Sequence, residues 1–150
     1  MNLNIHPPLP ERKDWRIGCV GSGFIMSDCH LVAYGKAGFN PAAIASRTTA
    51  NAAACAERHK IGTVYDSIDQ LLDDESIEVL DLAVPPDNQL EIIKAACARS
   101  TVKGILAQKP LGSNYAEAVE AVEACEAAGI YLAVNQNMRY DQSVRAAKTL

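Results

Sequence analysis

The sequence has few aromatic residues, no excess of positive charge, no long apolar run and no closely spaced cysteine pair. Each absence removes a class of protein. Aromatics make up 5% of the 150 residues, so a core must come mainly from Val, Ile, Leu and Ala. That composition suits helices packed on a parallel sheet. The formal net charge is −4, and without a basic stripe to neutralise phosphates a nucleic-acid partner is not expected. No stretch reaches the ~20 apolar residues of a membrane span. Residues 1–10 lack the basic start and apolar run of a secretory signal, and His6-Pro7-Pro8-Leu9-Pro10 reads as extended. The five cysteines, Cys19, Cys29, Cys55, Cys97 and Cys125, include no C-x-x-C pair. They read as small buried hydrophobes in a reducing cytoplasm, with no metal or disulfide role.

What is present is an alternation of strand-like and helix-like segments from Trp15 onward. Strands are predicted at 16–20, 42–45, 64–65, 78–84, 102–107 and 131–135. Helices are predicted at about 24–37, 49–60, 67–72, 88–99, 115–128 and 141–150. In the first helix Ile25, Cys29 and Val32 form the expected apolar face; in the fourth, Leu90, Ile93 and Cys97 do. Gly38 and Gly129 are stop signals, Asn114 is an N-cap, and Asp66 or Ser67 caps the short third helix. This β-α order implies an α/β fold, a doubly wound parallel sheet of about six strands with helices on both faces. The division expected is a leader at 1–14, a dinucleotide-binding domain at 15–135, and at 136–150 the link and first helix of a substrate domain that the chain does not contain.

Gly21-Ser22-Gly23-Phe24-Ile25-Met26 lies between the first strand and the first helix, where a dinucleotide fingerprint belongs. The first glycine permits the tight turn and the second lets a pyrophosphate approach the backbone. The helix N-terminus offers free N–H groups to the phosphates. Met26 stands where a third small residue would normally let helix and strand pack closely. A glycine pair after a strand can also be no more than a turn; its place ahead of five further strands favours the nucleotide.

The second strand ends in Ser46-Arg47-Thr48, with none of the carboxylates that bind a ribose 2′-hydroxyl of NAD. Two hydroxyls and a guanidinium suit a 2′-phosphate, which Arg can grip through two charged hydrogen bonds. The expected cofactor is therefore NADP in preference to NAD. The alternative for Arg47 is a solvated charge at a strand end.

Four segments together resemble the glucose–fructose oxidoreductase, inositol dehydrogenase and rhizopine-catabolism (Gfo/Idh/MocA) family. They are the glycine turn with His30, Asp81-Leu82-Ala83-Val84-Pro85-Pro86, Gln108-Lys109-Pro110-Leu111, and Asn135-Gln136-Asn137-Met138-Arg139-Tyr140. The resemblance covers nearly all the chain from Trp15. It implies a two-domain NAD(P)-dependent oxidoreductase acting on a sugar, cyclitol or related small molecule, its second domain binding substrate and often building a homo-oligomer. It places Lys109 as the catalytic lysine beside the nicotinamide. The cofactor-binding set is then Gly21, Ser22, Gly23, Phe24, Ile25, Ser46, Arg47, Val84, Pro85, Pro86, Gln108 and Lys109. An ammonium just past a strand's carboxyl end can donate to a substrate oxygen and stabilise its developing charge.

The sequence departs from the family at two places. Gln108 replaces the usual Glu, and Leu90 stands where a His is common. Asn135 and Arg139 border the substrate side or link domains, and His30 is a packing or phosphate-turn residue. The family's Asp and His of the second domain have no counterpart here, so the expectation is cofactor binding without turnover. Two other readings stand beside this one: a non-catalytic NAD(P)-sensing module, and a structural α/β domain without a ligand.

Overall fold

The computed structural model describes residues 9–99 and 101–149. Most of the predicted leader, His6-Pro7-Pro8 included, and the end of the last predicted helix at Leu150 lie outside the described residues.

Six parallel strands form one sheet: β1 (Ile17–Val20), β2 (Ala43–Ala45), β3 (Thr63–Tyr65), β4 (Val79–Leu82), β5 (Gly104–Gln108) and β6 (Tyr131–Asn135), in spatial order β3-β2-β1-β4-β5-β6. The order reverses between β1 and β4. Helices that follow strands on the two sides of that point diverge and open a crevice at the strands' carboxyl ends. The helices are α1 (Leu31–Ala37, preceded by a π-wound segment Ile25–His30), α2 (Thr49–His59), α3 (Ile68–Leu72), α4 (Pro86–Cys97), α5 (Tyr115–Ala128) and α6 (Gln142–Thr149).

Side chains alternate across the strands, and that alternation builds two cores. Ile17, Cys19 and Ile44 pack with Met26, Leu31, Ala52 and Cys55 of the first two helical segments. Val20, Ala43, Ala45, Leu80, Leu82 and Ile105 face the other way, against Leu71, Ile93 and Ala121 of α3, α4 and α5. Asp81 alternates to the first side and is a fully buried charge in the middle of an apolar strand.

The apolar face predicted for the first helix is wrong. Ile25 and Cys29 are exposed, Val32 is half-buried, and Met26, Ser27, His30 and Leu31 turn inward instead. Residues 25–30 are wound as a π-helix, wider than 3.6 residues per turn, so a stripe drawn on α-helical spacing misses the core. Met26, in place of the small third residue, fills the core beneath that segment. The fourth helix begins at Pro86, two residues earlier than predicted, because a proline at the first helical position loses no hydrogen bond. Its buried face is Gln89, Ile92, Ile93 and Ala96, with Leu90 and Cys97 only flanking the core. Strand β5 is shifted to Gly104–Gln108 from the predicted 102–107. The caps fall as read: Ser67 and Asn114 accept from the backbone N–H of Gln70 and Glu117, and Gly38 and Gly129 end their helices in the left-handed conformation.

The segment before β1 is tied to the domain. The Arg12 guanidinium lies 3.8 Å over the Trp15 ring and pairs with Glu78 at 2.6 Å. Lys103 approaches the same carboxylate at 2.5 Å. Bonds from Lys103 and then Arg12 hold the Glu78 carboxyl down at about 2, although the pair is at the surface.

Candidate functional site

A cleft of about 680 Å³ opens at the carboxyl ends of β1, β2 and β4. One wall is the glycine turn. Gly21 has φ +100°, and a Cβ on it would lie 2.5 Å from the carbonyl oxygen of Ala83. Its N–H donates to the carbonyl of Ala45 at 2.8 Å, so the turn is pinned to β2 as well. Gly23 has no atom within 4 Å of where a Cβ would be, so its bare backbone faces open space. The two glycines differ: Gly21 makes room for the neighbouring strand, and Gly23 borders open space.

The far rim is the end of β2. Ser22 donates to the hydroxyl of Ser46 at 3.0 Å and draws the two loops together. Arg47 and Thr48 follow on the rim, both exposed, and among the described residues Arg47 has no carboxylate partner. The carboxylates that do line the cleft, Asp66, Asp69 and Glu91, come from the β3–α3 connection, α3 and α4, not from the β2 end. Val84 and Pro85 form the floor beside Gly21.

Of the residues singled out in the sequence, Gly21, Ser22, Gly23, Ser46, Arg47, Val84 and Pro85 thus meet around one cleft. Phe24 and Ile25 do not line it; Phe24 is 71% exposed on the outer surface of the helical turn. Pro86 opens α4 directly after Pro85 and does not itself line the cleft. Gln108, the last residue of β5, and Lys109 just past it stand further along the same sheet edge, with Lys109 exposed and the Lys109–Pro110 bond cis.

A buried polar network supports that second stretch. Gln89, fully buried, accepts from the backbone N–H of Gln108 at 2.8 Å and donates to the carbonyl of Pro110 at 2.7 Å. One side chain therefore clamps both flanks of Lys109. Asp81 accepts from the Tyr34 hydroxyl at 2.8 Å and lies 2.8–2.9 Å from Nδ1 of His30. Nε2 of His30 lies 2.7 Å from Nδ2 of Asn135 and 3.4 Å from Nε2 of Gln108. Burial and the Asp81 carboxylate push the Tyr34 phenol far above its usual range, and burial followed by Asp81 pushes up the Cys19 thiol. Both stay protonated at any physiological pH.

This network was not legible as such. His30, expected as a packing or phosphate-turn residue, is buried against Asp81, away from the cleft. Asp81 had no assigned role. The one signal available was a carboxylate inside an apolar run already read as a buried strand. Among the described residues no group of three or more His, Cys, Asp or Glu is placed to hold a metal ion. No helix among them is long and apolar enough to cross a membrane.

The sheet order, the crevice at the strand reversal and the glycine turn at its mouth define a dinucleotide-binding Rossmann domain. The chain belongs to the Gfo/Idh/MocA group, described as "Oxidoreductase family, NAD-binding Rossmann fold", whose sequence pattern matches residues 15–136. It is 35% identical over 91 residues to D-xylose 1-dehydrogenase (NADP(+)) 2 of Haloferax volcanii, a match covering 61% of this chain and 27% of that one. An NAD binding oxidoreductase from Klebsiella pneumoniae superposes with a TM-score of 0.82 at 27% identity, covering 91% of this chain and 38% of the other. Levoglucosan dehydrogenase in complex with NADH and levoglucosan superposes with a TM-score of 0.76 at 27% identity, covering 84% and 36%. The chain spans 22–40% of the length of the curated relatives it matches.

Proposed function

We propose that this chain is the cofactor domain of an NADP-preferring oxidoreductase that moves hydride between the nicotinamide and a sugar, cyclitol or related hydroxy compound. The observation that carries the reading is the pairing, across one cleft, of the open Gly23 backbone with the Arg47 guanidinium, which has no carboxylate partner among the described residues. The residues fit the group. Gly23 leaves space for a pyrophosphate against the helix start, Ser46, Arg47 and Thr48 offer a cation and hydroxyls for a 2′-phosphate, and Val84-Pro85 provides an apolar floor. The relative named D-xylose 1-dehydrogenase (NADP(+)) 2 is consistent with both the cofactor and the substrate class.

The bound dinucleotide supplies a hydride acceptor or donor. Lys109 presents an ammonium at the same strand-end edge, able to donate to a substrate oxygen as charge develops there. Gln89 holds that turn still, so Lys109 is aimed by a buried side chain and not by loop chance. In this reading substrate contacts and a proton partner come from outside the Rossmann domain, so residues 1–150 tested by themselves are expected to bind cofactor without turnover.

Titration calorimetry with NADPH and NADH tests the cofactor assignment. Tighter binding of NADPH is expected; equal affinity, or tighter NADH, removes the role given to Arg47. Dehydrogenase activity from the 150-residue chain would remove the need for a second domain.

A further inference from the structure

The backbone of Lys109 orients the amide of Gln108. The backbone N–H of Lys109 needs an acceptor, and the atom 2.9 Å away must be the amide oxygen. The NH₂ end of Gln108 is therefore the end facing Nε2 of His30 at 3.4 Å. The side-chain amide of Asn135, the register partner of Gln108 across β5–β6, meets the same nitrogen at 2.7 Å. The NH₂ of Gln108, oriented independently by Lys109, points at that nitrogen and favours a lone pair there, and a lone pair in turn orients Asn135 with its NH₂ inward. The imidazole proton must then sit on Nδ1, where Asp81 accepts it. A fully buried carboxylate bonded to an imidazole N–H and a phenol O–H is satisfied without a further charge.

We propose that Asp81 and His30 are a positioning pair that fixes the amides of Gln108 and Asn135 through the bare Nε2 of His30. Gln108 is thereby locked as the brace of Lys109, and Asn135 is left with its carbonyl oxygen as an acceptor for the carboxamide N–H of the nicotinamide. The amide of Asn135 is planar, and with its NH₂ turned inward its oxygen is the opposite arm. Among the described residues that oxygen has no partner, and Asn135 sits half-buried at the strand-end edge that carries Gln108 and Lys109. The carboxamide role rests on the cofactor reading above; the proton position does not. The pair touches neither cofactor nor substrate and acts through the two amides.

The proton position is read on the whole 150-residue chain without ligand, from ¹⁵N imidazole NMR. His30 is expected to show a protonated Nδ1 and a bare Nε2, and a proton on Nε2 overturns the proposal. Gln108→Glu replaces a donor with an acceptor, so Nε2 of His30 is expected to gain a proton; a bare Nε2 in that variant counts against the pairing. Asn135→Ala at the end of an edge strand supplies the binding readout. Its affinity for NADPH is expected to fall about tenfold while that for 2′,5′-ADP, which lacks the nicotinamide half, holds within about twofold. Unchanged NADPH affinity, or an equal loss for both ligands, overturns the carboxamide role. If the unaltered chain binds neither ligand, the cofactor reading fails and takes the carboxamide role with it, while the spectrum still decides the proton.

Discussion

Gly21 and Gly23 stand two residues apart and carry different burdens, which mutation separates. Gly21→Ala drives a Cβ to 2.5 Å from the Ala83 carbonyl oxygen at φ +100°. It should cost at least about 1–3 kcal/mol of stability, seen as a lower denaturant midpoint. Gly23→Ala meets no protein atom, so its midpoint should hold while dinucleotide affinity falls. Equal loss of stability in both variants would show that the turn has been misread. Arg47 acts at the same scale. Charged hydrogen bonds contribute roughly 1.5–3 kcal/mol, so Arg47→Ala should weaken NADPH by about tenfold or more in calorimetry and leave NADH within about twofold. The glycine pair and Arg47 were legible because their signals are local: a turn after a strand, and a missing carboxylate at a strand end. Asp81, Tyr34, His30 and Asn135 were not, because their meeting joins residues 47 to 105 positions apart through the sheet.

The strands and α-helices were legible in number and order, while the 3-10 turn Asn137–Tyr140 was not, and the misreadings have specific physical causes. A π-wound start shifts the inward face of the first helical stretch from Ile25 and Cys29 to Met26 and His30. The pattern rules assume an α-helical period and cannot see this. In α4 the polar Gln89 faces inward because the β5 turn gives it both a donor and an acceptor. A hydropathy stripe counts that position as solvent-facing. This yields a prediction for α4: Gln89→Leu leaves the Gln108 N–H and the Pro110 carbonyl without their partner. It should lower stability by about 1–3 kcal/mol in chemical denaturation. An unchanged midpoint would mean that water replaces the clamp and that the turn carrying Lys109 is not held by α4.

Across the whole domain, the reversal of strand order between β1 and β4 is what gathers turns from distant sequence into one crevice. The alternating strand and helix pattern implied this arrangement, since right-handed crossovers leave few other windings. The tie between the segment before β1 and the far ends of β4 and β5 through Glu78 was not foreseeable, because surface ion pairs leave no periodic trace. Its pH dependence has a definite sign. Glu78 ionises at about 2 in the fold and at 4.5 when unperturbed. Whatever stability it adds is therefore complete above about 4.5 and disappears as pH falls through about 2. The Tm difference between the parent chain and Glu78→Gln should close over that window, and a constant difference down to its lower end would rule out the ion pair as its source.

The central claim is that a dinucleotide lies across the Gly21–Gly23 turn with its 2′-phosphate at Arg47. It is tested most directly by following the backbone amides of the ¹⁵N-labelled chain while NADPH is added. Saturable shifts are predicted at Gly21, Ser22, Gly23, Ser46, Arg47 and Thr48, and with NADH the shifts at Arg47 and Thr48 should be smaller. Saturation with no shift at the glycine turn, or with the shifts gathered on another face of the domain, would contradict it.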